Sequence, residues 1–268
     1  MIRILCIIFS FLIFQSVSYA KIGGCSYKII QDPDDVYVVE INTTKAKNKL
    51  KPYFVSELET NKSVYKRLEP RLVVNAGFFD PKNQQTVSYV VIDGQVVLNP
   101  KNNENLMQNE ALKPFLDKIL NRSEFRILED SEGNITYDIA PHNEDVPEGL
   151  TIKHSIQAGP MLFPDLRLEE EFFILKHNGQ IISESASSLH KYARTAIGIR
   201  EGNVYLFIVT KEAPMTLEEV ADLARKWGME KAMAFDGGGS TSFDSQELHI
   251  ISDKDDTARK LKSFLILK

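Results

Sequence analysis

Apolar positions in this chain cluster in short runs separated by turns rich in Gly, Asn and Asp, a pattern that predicts strands more than helices. Val90-Val91-Ile92 and Gln95-Val96-Val97-Leu98 flank Asp93-Gly94, a dipeptide suited to a two-residue hairpin because both residues tolerate positive φ. Phe125 to Leu128 and Ile135 to Ile139 repeat the arrangement around Ser131-Glu132-Gly133-Asn134, as do Thr195 to Ile199 and Val204 to Val209 around Glu201-Gly202-Asn203. Helical periodicity is clearest after Thr216, where Glu219 completes a capping box, Leu217, Val220, Ala224 and Trp227 share one face, and Gly228 ends the run. Further helices are expected from about Asn109 to Leu120, interrupted by Pro114, and from about Glu59 to Leu68. The expected fold is a single α+β domain, with a mixed, mostly antiparallel sheet core and a few packed helices. The polar stretch 99–149 reads as a loop-rich elaboration over one edge.

Several strand-like runs stop abruptly at polar or glycine residues. Leu72-Val73-Val74 leads into Asn75-Ala76-Gly77-Phe78-Phe79-Asp80, and Ser155-Ile156 into Gln157-Ala158-Gly159-Pro160. Tyr192-Ala193 leads into Arg194-Thr195-Ala196-Ile197-Gly198. The most telling run is Ala234-Phe235-Asp236-Gly237-Gly238-Gly239-Ser240-Thr241, which sets one carboxylate and three glycines directly after an apolar segment. Glycines allow tight turns and close approach to the main chain, and exposed N–H groups with the Ser240 and Thr241 hydroxyls offer donors to an anion. Singly, each feature has a bland reading: a turn for Asn75, a surface ion pair for Arg194, core filling for Phe78 or Phe79.

Taken in order, Asn-Ala-Gly-Phe-Phe, Gln-Ala-Gly-Pro, Arg-Thr-Ala-Ile-Gly and the Thr-Leu-Glu-Glu-Val-Ala helix ending in Asp-Gly-Gly-Gly-Ser-Thr resemble the motifs of the phosphodiester glycosidase family. The resemblance runs from about Val64 to Lys268 and is weak over 99–149. It implies an α+β fold and hydrolysis of a sugar 1-phosphodiester at the anomeric carbon, N-acetylglucosamine being one sugar the family removes. Other bacterial members are exopolysaccharide-related. It assigns function to Asn75 and Gly77, Gln157 and Gly159, Arg194 and Thr195, and Asp236 through Thr241. Family members commonly carry Leu where Phe235 precedes the aspartate here, and Thr210 to Met215 match no fixed motif, which leaves a second acid unidentified.

The chemistry of that bond fits these residue types. Breaking C1–O of a sugar 1-phosphodiester expels a phosphate monoester, whose conjugate acid has a pKa of about 6. No strong general acid is needed, unlike ordinary glycosides, where two carboxyl groups flank the bond. A cation must hold the phosphate, and Arg194 is the expected fork. Asp236 is expected to face the sugar as nucleophile, base or electrostatic stabiliser, and Asn75 to join it and Arg194 in the catalytic set. Gly77, Gln157, Gly159, Thr195, Gly237, Gly238, Gly239, Ser240 and Thr241 are expected around the substrate, amides toward hydroxyls and the glycine loop toward phosphate oxygens. No cofactor is required, although Mg²⁺ or Ca²⁺ between Asp236 and a phosphate is compatible with the residues. The five histidines, His142, His154, His177, His190 and His249, show no zinc-site spacing, and Ser240 is not in a nucleophile elbow.

The first residues alter the setting. Arg3 followed by the apolar stretch Ile4 to Phe14 and Ser18-Tyr19-Ala20 reads as a signal peptide cleaved after Ala20, too short to span a bilayer. A poor lipobox at Ile22-Gly23-Gly24-Cys25 is the competing reading, which would lipidate Cys25. Export to the periplasm or medium is expected, with residues 21–268 as the mature domain. Its single remaining cysteine allows no internal disulfide. The net charge of -5, without basic blocks, argues against nucleic acid as a partner and leaves a sugar phosphodiester or polysaccharide. Glu169-Glu170-Glu171 and Asp253 to Asp256 read as solvated surface.

Overall fold

The computed structural model describes residues 20–21, 26–46, 49–185, 187–252 and 258–268. The leader through Tyr19, Cys25 and the acidic run from Asp253 to Asp256 lie outside the described residues.

Among the described residues every strand pairing is antiparallel. The α+β expectation is therefore met on its antiparallel side, but the fold is richer in strand than an even mix. One large sheet runs, in spatial order, Ala20–Lys21, Tyr27–Gln31, Val36–Ile41, Asn203–Val209, Arg194–Arg200, Lys231–Ala234 and Met161–Phe163. A second consists of His249–Ile251, Ser242–Ser245, Leu72–Asn75, Lys260–Leu267 and Leu50–Thr60. A third consists of Gln95–Leu98, Val90–Ile92, Leu150–Gln157, Ser123–Asp130 and Ile135–Pro141. Two of its strands fall inside 99–149, so that stretch carries sheet as well as loops.

The three sheets share one core. Ile197, Leu206, Ile208, Val74, Phe243, Phe125 and Ile156 all meet there, fully shielded from solvent. Alternate residues of Asn203–Val209 serve a second core, in which Tyr205, Phe207 and Val209 pack with Leu217, Val220 and Ala224 of the helix Leu217–Lys226. This two-sided burial explains the uninterrupted apolar run from Val204 to Val209, since alternation appears only where one face is wet. The helix Asn61–Leu68 covers the second sheet in the same way, Val64 meeting Val73 and Phe264.

Local signals operate as expected. Asp93 and Gly94 have φ of 51° and 74°, and Glu201 and Gly202 of 51° and 71°, so both hairpins turn through two residues with positive φ. The Thr216 hydroxyl accepts from Glu219 N at 3.1 Å while Thr216 N donates to the Glu219 carboxylate at 2.8 Å. The helix expected from Asn109 is shorter. Lys113–Phe115 form a 3-10 turn and the α-helix spans only Leu116–Leu120, because Pro114 has no N–H for a longer ladder.

Candidate active site

Strand ends from two sheets meet at Asp236. Lys231–Ala234 delivers it from the large sheet, and Arg194 opens the neighbouring strand, with Ala196 opposite Ala234. Leu72–Asn75 and Ser242–Ser245 approach from the second sheet. Asn75 joins the two. Its Oδ1 accepts from Thr195 Oγ1 at 2.8 Å and from Ser242 N at 3.1 Å, and its Nδ2 donates to the backbone oxygen of Asp236. Asp236 N in turn donates to Ala76 O at 2.8 Å.

Asp236 forms part of the wall of a cavity of about 630 Å³. Phe78, Phe173, Tyr192, Phe235 and Pro160 supply apolar surface, and Lys191, Arg194, Lys211 and Arg259 bring four cationic side chains. Asp236 is the one carboxylate among the described lining residues. Burial drives its pKa up to about 6, a rise limited by the Ser240 hydroxyl, the nearby Arg259 guanidinium and the Gly237 N–H. Arg259 Nη1 also approaches Ser240 Oγ at 3.4 Å.

Arg194 is buried, and its guanidinium is largely committed. Nε donates to Met215 O at 3.0 Å, and Nη2 donates to Ser187 O at 2.7 Å and His190 O at 2.6 Å. Burial lowers its pKa to about 10, opposed by Tyr192 and Glu184. Nη1 is the nitrogen turned to the glycine loop, 3.7 Å from where a Gly237 side chain would begin. The carbonyl contacts aim one end of the fork rather than offering its whole edge.

The glycine loop is more self-contained than an open nest. The N–H groups of Gly238 and Ser240 donate to Ala193 O and Gly237 O, and that of Gly237 serves the Asp236 carboxylate. Among the described residues, Gly239 N–H is the loop amide left without a partner. Gly238 has φ of 60°, which lets the chain turn sharply here. Gly237, Gly238 and Gly239 all line the cavity, whereas Ser240 and Thr241 are buried beside it.

The other expected residues are spread. Gly159 lines the cavity, and a side chain there would overlap Glu171. Gln157 is fully buried away from the lining, its Nε2 donating to Leu120 O and Arg122 O and its Oε1 accepting from Tyr89 N. Thr195 is buried and spends its hydroxyl on Asn75. Gly77 lies under the site, where a Cβ would come within 2.9 Å of Ser88 and Ser263. Glu171 corrects the reading of a solvated acidic run. It is buried, its carboxylate accepting from Ser123 N, Ser123 Oγ and Met161 N, and burial raises its pKa.

Lys191, Lys211, Arg259 and Ser252 form part of the cavity without a motif to announce them. Ser252 is buried, and its hydroxyl oxygen has no partner among the described residues. A hard cation at Asp236 would find one carboxylate, and among the described residues no group of three or more His, Cys, Asp or Glu side chains is placed to hold a metal ion.

Comparison with known proteins places the fold. The fold is similar to the catalytic domain of zebrafish N-acetylglucosamine-1-phosphodiester alpha-N-acetylglucosaminidase, described as auto-inhibited by its pro-peptide, with TM-score 0.63 at 15% identity over 93% of this chain and 80% of that one. It is also similar to a hypothetical protein from Synechocystis, TM-score 0.58 at 15% identity, covering 93% of this chain but only 61% of the other's length. A Burkholderia pseudomallei protein described as exported matches with TM-score 0.57 at 13% identity, over 90% of this chain and 74% of that one. No curated protein sequence matches. The family model for phosphodiester glycosidases matches residues 69–268, a span holding every residue of the cavity, and the chain belongs to the phosphodiester glycosidase family.

Proposed function

We propose that this protein is an exported hydrolase that cleaves sugar 1-phosphodiesters at the anomeric carbon–oxygen bond, releasing a sugar and a phosphomonoester. The observation that carries the reading is the charge arrangement of the cavity: one carboxylate, Asp236, shares the lining with Lys191, Arg194, Lys211 and Arg259, of which Lys191 also pairs with Glu219 at 2.6 Å. Cations in such number suit a phosphodiester and a departing phosphate dianion. The aromatic surface of Phe78 and Phe173 suits a sugar ring. The zebrafish relative is named for an N-acetylglucosamine 1-phosphodiester, so that sugar is the first to test.

In the proposed step, water attacks C1 while Asp236 takes its proton, and the C1–O bond breaks with its electron pair going to the phosphate oxygen. A base with pKa near 6 is better matched to neutral pH than an ordinary carboxylate. Arg194 Nη1, Arg259 and the two lysines stabilise the charge that grows on phosphate, so no protonated acid is required. Asn75 and Thr195 hold the Asp236 backbone in place. The step needs no cofactor; Mg²⁺ or Ca²⁺ at Asp236 would have to draw its remaining ligands from phosphate and water. Export rests on reading residues 1–20 as a leader and accords with the Burkholderia relative, described as exported.

Hydrolysis of N-acetylglucosamine 1-phosphodiesters in ¹⁸O-water tests the reading. Label in the released sugar is expected. Label in the phosphate would move cleavage to the P–O bond, and no turnover across a series of sugars would leave a polysaccharide-binding protein.

A further inference from the structure

A second cavity, of about 690 Å³, shares a wall with the first. Arg122 lines the second, while Phe78 and Phe173 line the first. The Arg122 guanidinium lies 4.1 Å from the Phe173 ring centroid and 5.6 Å from that of Phe78. Phe172 and Ser185 belong to the second cavity, their near neighbours Phe173 and Ser187 to the first. The two cavities are thus separated by a single aromatic and guanidinium layer.

The geometry points to the second cavity as a subsite for a neutral glycosyl unit belonging to the same substrate molecule as the reacting sugar; the inference rests on the proposed hydrolysis. Its charge balance differs from that of the first cavity. Asp80 and Glu104 oppose Lys82 and Arg122, so the lining sums to zero, where the reaction cavity carries four cations against one acid. An anionic group gains nothing from a lining that holds two carboxylates, and an apolar group would leave its charged and amide groups unpaired.

A polyol supplies both donors and acceptors, and several groups await them. Arg122 commits Nε to Glu171 O and Nη2 to Phe172 O, leaving Nη1 without a partner among the described residues. Among the described residues, the side chains of Lys82, Glu104 and Gln108 likewise have none. Phe172, stacked on Phe115 at 4.1 Å, adds a rigid aromatic surface. Carboxylate, amide and guanidinium groups beside an aromatic plane match the alternating hydroxyls and C–H faces of a sugar.

The test compares the full chain on N-acetylglucosamine 1-phosphodiesters with no further sugar, with one added on the glycosyl side, and with one added beyond the phosphate. An extension on one side is expected to lower KM about tenfold, and the responding side shows which end of the substrate fills the subsite. Glu104→Ala/Gln108→Ala, both at exposed positions, should lose most of that gain. Saturation-transfer NMR with chitobiose, cellobiose and maltose reads binding without turnover, and the double variant should weaken the signal at least about fivefold. Equal KM for all three substrates, or a disaccharide signal indifferent to the double variant, would overturn the subsite. Hydrolysis without length preference sinks only this inference, and disaccharide binding without hydrolysis sinks only the proposed reaction.

Discussion

The Thr195 hydroxyl donates to the Asn75 side-chain oxygen at 2.8 Å, joining a strand of the large sheet to one of the second sheet directly beneath Asp236. Thr195→Val keeps the shape and removes that donor, leaving Ser242 N on the same oxygen. The expected cost is about 1 kcal/mol, a drop of roughly 2–4 °C in melting temperature for a chain of this size. Asn75→Ala should cost about 3 kcal/mol, because Thr195, Ser242 and the Asp236 carbonyl all lose their partner. It should also lower kcat, since the Asp236 backbone is released. Denaturant melts and steady-state kinetics on both variants check the ordering.

Asp236→Asn should abolish most turnover, a fall of about 10²–10⁴-fold in kcat if the carboxylate is the base. The same change should stabilise the fold at neutral pH. Burial raises the Asp236 pKa from 3.8 to about 6, so ionisation in the native state carries a cost of up to about 3 kcal/mol that the unfolded chain does not have. The native state holds its proton more tightly between these values, and stability therefore falls as pH rises through them. The gain from Asn should be full above about pH 6 and vanish below about pH 4. Urea melts of both proteins at pH 4 and pH 7.5 decide this. For the wild type, kcat/KM should rise with pH to a plateau, with its midpoint near 6.

What the sequence revealed about the site tracks how local each signal is. The hairpin at Asp93-Gly94 and the capping box at Thr216 depend on a few adjacent residues and are realised in full. Asp236 and its glycines stood out because a carboxylate and three glycines directly follow an apolar segment, and all four line the cavity. Lys191, Lys211 and Arg259 were not, since a lone cation in a polar loop looks like any other surface residue until tertiary folding brings it to the cavity. The direction of Asn75 and Gln157 was equally hidden. Amide side chains serve a ligand or the fold, and here both hydrogen-bond within the protein, Gln157 entirely outside the cavity lining. Glu171 shows the reverse error, because three consecutive glutamates give no hint that the third is folded inward onto Ser123 and Met161.

Arg194→Lys should be poorly tolerated despite keeping the charge. Three backbone carbonyls, of Met215, Ser187 and His190, are held by two nitrogens of the planar guanidinium while a third faces the glycine loop. One ammonium cannot reach all of these at once. A stability loss of about 2–3 kcal/mol and a rise in KM of at least about tenfold are expected. If Lys supports wild-type KM, the aim imposed by those carbonyls is irrelevant to substrate binding.

The released sugar should carry inverted anomeric configuration. Retention requires a covalent glycosyl intermediate and a second group to activate water once the first carboxylate is esterified. Among the described lining residues Asp236 stands without a second carboxylate, and the nearby Glu171 is buried with its carboxylate already accepting three hydrogen bonds. A leaving phosphate needs no acid, which removes the other reason for a pair. One carboxylate then suffices for a single displacement, in which water enters opposite the phosphate. Proton NMR of the first-formed sugar, read before mutarotation, distinguishes the outcomes. On an α-linked substrate, where the 2-acetamido group cannot attack opposite the leaving group, retention would make Asp236 the nucleophile and would require the departing phosphate or an unassigned residue to serve as the base.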